Sequence, residues 1–228
     1  MSVLYVLLGI TALYLAHRKM TLELSRLIHR LGGNQNMIIW VWSVIFLPGT
    51  IIHEISHFLA AAATGARTGK IEIFPEFIED ILDEEAEEKS GVALGYVQVA
   101  RMNPLQGFIV GIAPFISGMA LLIWLASLMR VNYLSENLWP LLFQTYLFFI
   151  IGNSFFPSWA DLKQTLPLVI FILILTGLGW FFGFQLLIGP SSPVWGVLDS
   201  MSGALLISVA INLCLVGALV LINKRLRR

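Results

Sequence analysis

The sequence predicts an all-α polytopic membrane protein with about six transmembrane helices and a small β-hairpin insertion between the second and third helices. Of its 228 residues, 57% are hydrophobic and 12% are charged, whereas about a quarter of the residues in a soluble domain are typically charged. The hydrophobic residues are gathered in long runs, several of them near the ~20 residues with which a helix crosses a bilayer. We therefore expect a multi-pass protein of the cell membrane, surrounded by the lipid bilayer.

Charge and cysteine content exclude other classes of function. The formal net charge is zero, so no basic field gathers phosphates, and we expect no nucleic-acid partner. Cys214 is the single cysteine, which excludes an intrachain disulfide and a metal site built from several thiolates.

Residues 1–36 are predicted to form the first transmembrane helix and an interfacial amphipathic helix. The apolar run 2–16 is short for a span, and a signal peptide is its rival; no basic residue precedes the run and no small-residue cleavage site follows it, so a retained helix is favoured. In 17–35, basic residues alternate with leucines up to Gly32-Gly33, which is typical of a helix lying in the membrane interface. Two histidines of this segment are interpreted as surface residues, His17 and His29.

Residues 37–187 are predicted to form the catalytic membrane core, which opens with the apolar run 37–63. Here His53 and His57 are four residues apart, so on a helix their rings lie on one face and can bind one ion. With Glu54 they complete the H-E-x-x-H pattern, in which two imidazoles bind zinc and the carboxylate takes a proton from the attacking water. The alternative is a pair of core histidines hydrogen-bonded to a glutamate, but ionisable groups inside a membrane span are usually functional because burying them is costly.

The polar insertion 64–103 contains two strand candidates, 68–74 and 95–100, in which polar and apolar residues alternate. The acidic run 76–88 between them is predicted to be a solvated helix or loop. An exposed strand edge can hold an extended peptide by main-chain hydrogen bonds, so the second strand is a candidate substrate-binding element, and a purely structural hairpin is the alternative. The residues assigned to substrate binding are Tyr96, Val97, Gln98 and Val99.

The remaining apolar runs are predicted to supply the later membrane helices. They lie at 104–129, 138–156, 166–187 and 204–222. The last run belongs to a C-terminal region, 188–228, that consists of a transmembrane helix and a basic tail.

Asn153 and Asp161 are polar residues between two of these runs, beside a proline break, so they are the best candidates to complete the site. Catalytic zinc usually has three protein ligands and keeps a fourth position for water. Asp161 is the predicted third ligand. It also fits a helix N-terminus capped by Ser158, and the two roles can coexist.

These residues together resemble the site-2 protease family of intramembrane zinc metallopeptidases. That family pairs a membrane-embedded H-E-x-x-H helix with a later broken helix, in which an asparagine precedes a proline-containing turn and an aspartate ligand. The matching residues here are those of 53–57, then Asn153, Pro157 and Asp161, and the segment 111–114 resembles the family's Gly-Pro helix. The resemblance implies a membrane-associated sheet near the polar strands. The sequence departs from the family pattern at Ser56 and Leu162, where glycine is usual.

Six alternating spans would put both termini on one side of the membrane. The positive-inside rule favours placing them in the cytoplasm, because that side would then hold Arg67, Lys70, Lys89, Arg101, Lys163 and the basic residues of 224–228. The other side would hold Arg18, Lys19, Arg26, Arg30 and Arg130. The active site is then expected towards the cytoplasmic face. Glu136, the ligand that another type of zincin would use, lies on the opposite face.

The sequence therefore predicts an intramembrane zinc metalloprotease acting on membrane-embedded or membrane-anchored peptide substrates. His53, His57 and Asp161 would bind Zn²⁺, while Glu54 would activate water and Asn153 would contact substrate or oxyanion. Two alternatives stay open. One is a metal-binding membrane transporter, and the other is an inactive protease-like scaffold, against which the intact Glu54 speaks.

Overall fold

The computed structural model describes residues 2–66, 68–72, 76–77, 92–93, 96–99, 102–183 and 192–226. Its helices are α1 (Ser2–Arg30), α2 (Gln35–Ala63), α3 (Pro104–Leu134), α4 (Leu138–Ser154), α5 (Trp159–Phe181) and α6 (Pro193–Arg225). All but α4 are long and apolar enough to cross a membrane, which gives five candidate spans among the described residues instead of about six. Helix α4 has only 17 residues, fewer than the ~20 that a full crossing needs.

Between α2 and α3 the backbone forms four short strands, β1 (Thr68–Glu72), β2 (Glu76–Phe77), β3 (Val92–Ala93) and β4 (Tyr96–Val99). They pair as two separate antiparallel two-stranded ladders, β1 with β4 and β2 with β3. Beyond Phe77, the acidic run expected over 76–88 lies outside the described residues. The substrate-binding role of 96–99 stays a prediction.

Helix α1 is continuous, where the sequence suggested a span followed by a separate interfacial helix. Its buried residues recur at helical spacing along the whole length: Val6, Gly9, Leu13, Ala16, Met20, Glu23 and Ile28. This face packs largely against α6, with Gly9 beside Leu205 and Glu23 bonded to Asn223. After residue 17, Met20, Glu23 and Ile28 are buried inside the bundle, whereas Leu22 and Leu31 are exposed.

The helix directions follow from which residues meet. Helices α1 and α6 are parallel, because Gly9 meets Leu205 and Glu23 meets Asn223. Six alternating crossings would make the first and last helices antiparallel. The start of α1 and the end of α6 consequently lie at opposite ends of the bundle, whereas six alternating helices would bring them to the same end.

The reason is that α4 and α5 run in the same direction. Helix α4 descends beside α2, with Tyr146 bonded to Ile45 and the last residue, Ser154, bonded to His53. Helix α5 is antiparallel to α3, which is itself antiparallel to α2, as shown by the pairs Gly107–Gln164, Gly111–Asp161, Thr64–Gln106 and His57–Val110. Together α4 and α5 run in one direction and are separated by a break at 155–158. Hydropathy alone predicted them as two separate spans.

Large apolar side chains cover the outside of this bundle. The most apolar part of α5 has no buried side chain, and the exposed residues there include Phe171, Leu173 and Leu175. An apolar surface of this extent is rare on a monomeric soluble protein and is consistent with a membrane protein.

Candidate metal centre

Helix α2 brings His53 and His57 onto one face, as their spacing predicted. Their Nε2 atoms are 3.2 Å apart. The helix is apolar on all sides, yet these rings point into the bundle, where the interrupted segment between α4 and α5 passes.

Asp161 lies in the first turn of α5 and is the only buried residue among the described side chains of that helix. Its Oδ1 is 3.0 Å from Nε2 of His57, and its Oδ2 is 3.6 Å from Nε2 of His53. Oδ2 also accepts a hydrogen bond from the backbone N–H of Ser158 at 2.7 Å, and the Ser158 hydroxyl accepts one from the Asp161 N–H. The cap and the approach to the histidines therefore coexist in one side chain.

The three side chains fit a tetrahedral metal ion. Zinc bonds of about 2.0–2.1 Å at tetrahedral angles place neighbouring ligand atoms about 3.3 Å apart. The two Nε2 atoms are 3.2 Å apart, and Oδ1 of Asp161 is 3.0 Å from Nε2 of His57. The 3.6 Å separation from Nε2 of His53 is measured to the other carboxylate oxygen, Oδ2. His53, His57 and Asp161 thus form a group that could hold a metal ion. A proton shared by His57 and Asp161 would explain their short distance equally well. Measuring the metal content of the protein distinguishes a metal ion from a shared proton.

Backbone carbonyls fix which nitrogen of each histidine faces the centre. Nδ1 of His53 lies 2.7 Å from the carbonyl of Ser154, and Nδ1 of His57 lies 2.8 Å from the carbonyl of Val110. A carbonyl oxygen only accepts hydrogen bonds, so both Nδ1 atoms carry the proton. Both Nε2 atoms are left to bind an ion, which is the arrangement that second-shell partners impose on metal-binding histidines.

Both carbonyls are free because their helices are imperfect at these points. The usual donor to Val110 is the N–H four residues later, and that residue is Pro114, which has none. Ser154 is the last residue of α4, where carbonyls lack partners within the helix. Pro114 is therefore the residue of α3 that makes the Val110 carbonyl available to His57.

Glu54 is buried, with 7% of its surface exposed. It lies close enough to His53, His57 and Asp161 to interact with them electrostatically. Within the described part of the chain it makes no hydrogen bond and no ion pair. A buried carboxylate beside two imidazoles that has no protein partner is available to a water molecule or to a substrate proton.

Glycines allow the helices to meet at the centre. A Cβ on Gly49 would collide with the side chain of Ser154, and a Cβ on Gly111 would collide with Thr165 and lie 2.9 Å from the carbonyl of Asp161. These two positions bring α4 onto α2 and α5 onto α3. Small residues at helix contacts permit such close approach in membrane proteins.

A small cavity opens beside His53. Its lining includes Gly49, Pro114, Gly118 and Phe155. The space has room for about one water molecule.

The side-chain amide of Asn153 is hydrogen-bonded to other residues of the protein. Its Oδ1 lies 2.9 Å from Nδ1 of His17, and its Nδ2 donates to the carbonyl of Phe149 at 2.7 Å. The interpretation of His17 as a surface residue is wrong, since the ring is half-buried among Trp42, Phe46 and Phe156. Contact of Asn153 with substrate or oxyanion stays a prediction.

The other acidic candidate is far from the centre. Glu136 lies in the turn after α3, and at 1.5 Å per residue the helix places that turn on the order of 35 Å from Val110. His29 is exposed and its Nδ1 lies 3.1 Å from the carbonyl of Gly33.

Comparison of the chain with protein-family models, with curated proteins and with solved structures gave no match.

Proposed function

We propose that the protein is a membrane-embedded metallopeptidase that hydrolyses peptide bonds within or beside the bilayer. The observation that carries this proposal is the cluster of His53, His57 and Asp161, whose possible ligand atoms lie within 4.8 Å of one another. Beside it, the carboxylate of Glu54 makes no hydrogen bond or ion pair among the described residues. That carboxylate is therefore available to a water molecule beside the cluster. The likeness of the motifs to those of site-2 proteases supports zinc as the metal.

The chain's own groups have separate tasks in this reaction. His53, His57 and Asp161 would hold the ion, with Nε2 of each ring turned towards it. Zn²⁺ bound there would supply Lewis-acid chemistry, making water more acidic and polarising the scissile carbonyl. Glu54 takes the proton from the attacking water and delivers it to the leaving amine nitrogen.

The proposed substrates are membrane-embedded or membrane-anchored peptides. A regular helix buries its peptide bonds behind side chains, so the reactive segment has to be locally unwound. The cavity beside His53 has room for about one water molecule, so α4 or α5 has to move for substrate to enter. The backbone of β4, residues 96–99, is the proposed support for the extended chain.

Replacement of Glu54 by glutamine tests the mechanism. Glutamine keeps the shape of the side chain but cannot take up the proton, and general-base catalysis typically contributes about 10²–10⁴-fold to the rate. We expect purified Glu54→Gln protein to lose cleavage of a membrane peptide by about this factor while it retains bound metal. Cleavage at the wild-type rate, in a preparation free of other proteases, would refute the mechanism.

A membrane transporter for metal ions is the second candidate, and a specific observation favours it. Two completely buried side chains of α6, Ser208 and Asn212, each leave an oxygen without a hydrogen-bond partner among the described residues, as does Gln144 of α4. Such atoms often bind buried water, and a row of them could line a path through the bundle. Metal flux into liposomes by Glu54→Gln protein at the wild-type rate would favour transport.

A further inference from the structure

The last turn of α4 is attached to two different helices. On one side the carbonyl of Ser154 accepts a hydrogen bond from Nδ1 of His53 on α2. On the other side the neighbouring residue, Asn153, is bonded to His17 on α1 at 2.9 Å. Consecutive residues of one turn thus connect the predicted metal ligand to a histidine that the proposed mechanism does not use.

The acceptor groups determine which atoms donate in the hydrogen bonds that Asn153 makes with Phe149 and His17. The carbonyl of Phe149 can only accept, so the atom of Asn153 that points to it is the amide nitrogen. The amide oxygen therefore faces His17 and also can only accept. Nδ1 of His17 must carry the proton and donate it, which makes the pair a directed contact rather than an accidental approach.

The surroundings of the pair make this hydrogen bond consequential. Asn153 is 6% exposed, and the His17 ring is enclosed by the aromatic rings of Trp42, Phe46 and Phe156. In such apolar surroundings a polar group without its partner is costly. Loss of the donor would leave the Asn153 oxygen unsatisfied and would favour reorientation of that side chain.

Reorientation would act on the turn that carries Ser154. Helix ends fray because their last carbonyls have no partner within the helix, and here Pro157 has no N–H to offer. Asn153 counteracts fraying by bonding back to Phe149 and across to His17. The position of the Ser154 carbonyl, and with it the orientation of the His53 ring, depends on this bracing.

We propose that His17 is a positioning residue for the metal centre. Through Asn153 it holds the last turn of α4, so that the carbonyl of Ser154 keeps the ring of His53 turned with Nε2 towards the ion. This inference rests on the proposed metal site and assigns Asn153 to bracing rather than to contact with the oxyanion.

Two complementary substitutions separate the hydrogen bond from the packing of the ring. His17→Phe keeps an aromatic ring among Trp42, Phe46 and Phe156 but removes the donor. His17→Asn gives up the ring but places an amide N–H close to the position of Nδ1. The matched control is His29→Phe, in the exposed last turn of the same helix.

The measurements are metal affinity, by competition with a chromophoric chelator, and the visible absorption spectrum of the Co²⁺ form. Loss of an outer partner typically weakens metal binding 10- to 100-fold. We expect His17→Phe to bind Zn²⁺ about tenfold more weakly than wild type, in line with that range, and to show an altered Co²⁺ spectrum. His17→Asn should recover most of the affinity, and His29→Phe should match wild type.

The outcomes distinguish this inference from the proposed function. Wild-type affinity and spectrum in His17→Phe would overturn the positioning role alone. Equal losses in His17→Phe and His17→Asn would also overturn it, because packing and not the hydrogen bond would then be responsible. A wild-type protein that binds no metal would overturn the proposed function and this inference with it.

Discussion

Two carbonyl oxygens, those of Val110 and Ser154, fix which ring nitrogen of each histidine faces the centre. They accept hydrogen bonds from Nδ1 of His57 and His53 at 2.8 and 2.7 Å, which leaves both Nε2 atoms turned towards Asp161. Backbone acceptors carry no residue-type signal, so they could not be read from the motif. Pro114, four residues after Val110, was the available signal, because a proline leaves the carbonyl four residues before it without a donor.

Asp161 serves as the proposed ligand and as a helix cap, and two substitutions separate these roles. Asp161→Asn keeps an oxygen that can accept from the Ser158 N–H but replaces the anionic ligand with a neutral amide. We expect loss of bound metal, measured by elemental analysis, with little change in thermal stability.

Ser158→Ala is the counterpart, since it removes the hydroxyl cap while leaving the carboxylate. It should lower stability by about 1 kcal/mol, as is usual for an N-cap, and keep its metal. If Asp161→Asn bound metal as the wild type does, Asp161 would be a cap only.

The H-E-x-x-H residues and Asp161 could be located from the sequence because residue types and helical spacing indicate their chemistry. His17 could not, because its basic neighbours Arg18 and Lys19 suggested a surface segment. Only the packing of α1 against the rest of the bundle reveals that its ring faces inward.

At the scale of the helices, Pro114 links the geometry of α3 to the ligand His57. Pro114→Ala would supply an N–H to the Val110 carbonyl, which then has an alternative to His57. A proline inside a helix costs about 3 kcal/mol or more, so thermal stability should stay equal or rise. Metal affinity should nevertheless fall about tenfold, as for other lost outer partners.

Pro167→Ala in α5 is the matched control, because Pro167 is exposed and lies outside the centre. It should leave the affinity unchanged in a chelator competition assay. Unaltered affinity in Pro114→Ala would mean that the freed carbonyl does not orient His57.

The apolar runs predicted the helices well, because a bilayer-spanning segment must be long and hydrophobic. Hydropathy could not show that the runs 138–156 and 166–187 form helices that point in the same direction with a break between them. Their break at 155–158, next to Pro157, looks the same in sequence as a turn between two antiparallel spans. The difference is set by contacts of α4 with α2 and of α5 with α3.

At the scale of the whole molecule, the parallel packing of α1 and α6 changes which end of the bundle carries more positive charge, compared with the six-span arrangement expected from the sequence. The end shared by the last residues of α1, α3 and α6 is nearest to Arg26, Arg30, Arg130, Lys224 and Arg225. In the sequence, Arg67, Lys70, Lys89 and Arg101 belong to the segment that joins α2 to α3. The positive-inside rule now favours a cytoplasmic position for the end of α6 and an outer position for the start of α1.

Cysteine labelling tests this arrangement. In a Cys214→Ala background, single substitutions Val3→Cys, Ser135→Cys and Leu226→Cys mark the relevant helix ends. A membrane-impermeant maleimide should label Val3→Cys in intact cells and the other two only after lysis. Labelling of Val3→Cys and Leu226→Cys from the same side would contradict the parallel packing of α1 and α6.

The central claim is that His53, His57 and Asp161 form a metal centre, and elemental analysis of the purified protein tests it most directly. We predict close to one zinc ion per chain in the wild type and essentially none in His57→Ala, because the triangle of ligand atoms then lacks one corner. Wild-type protein that stays free of metal after incubation with zinc, or His57→Ala that binds as much as the wild type, would contradict the account.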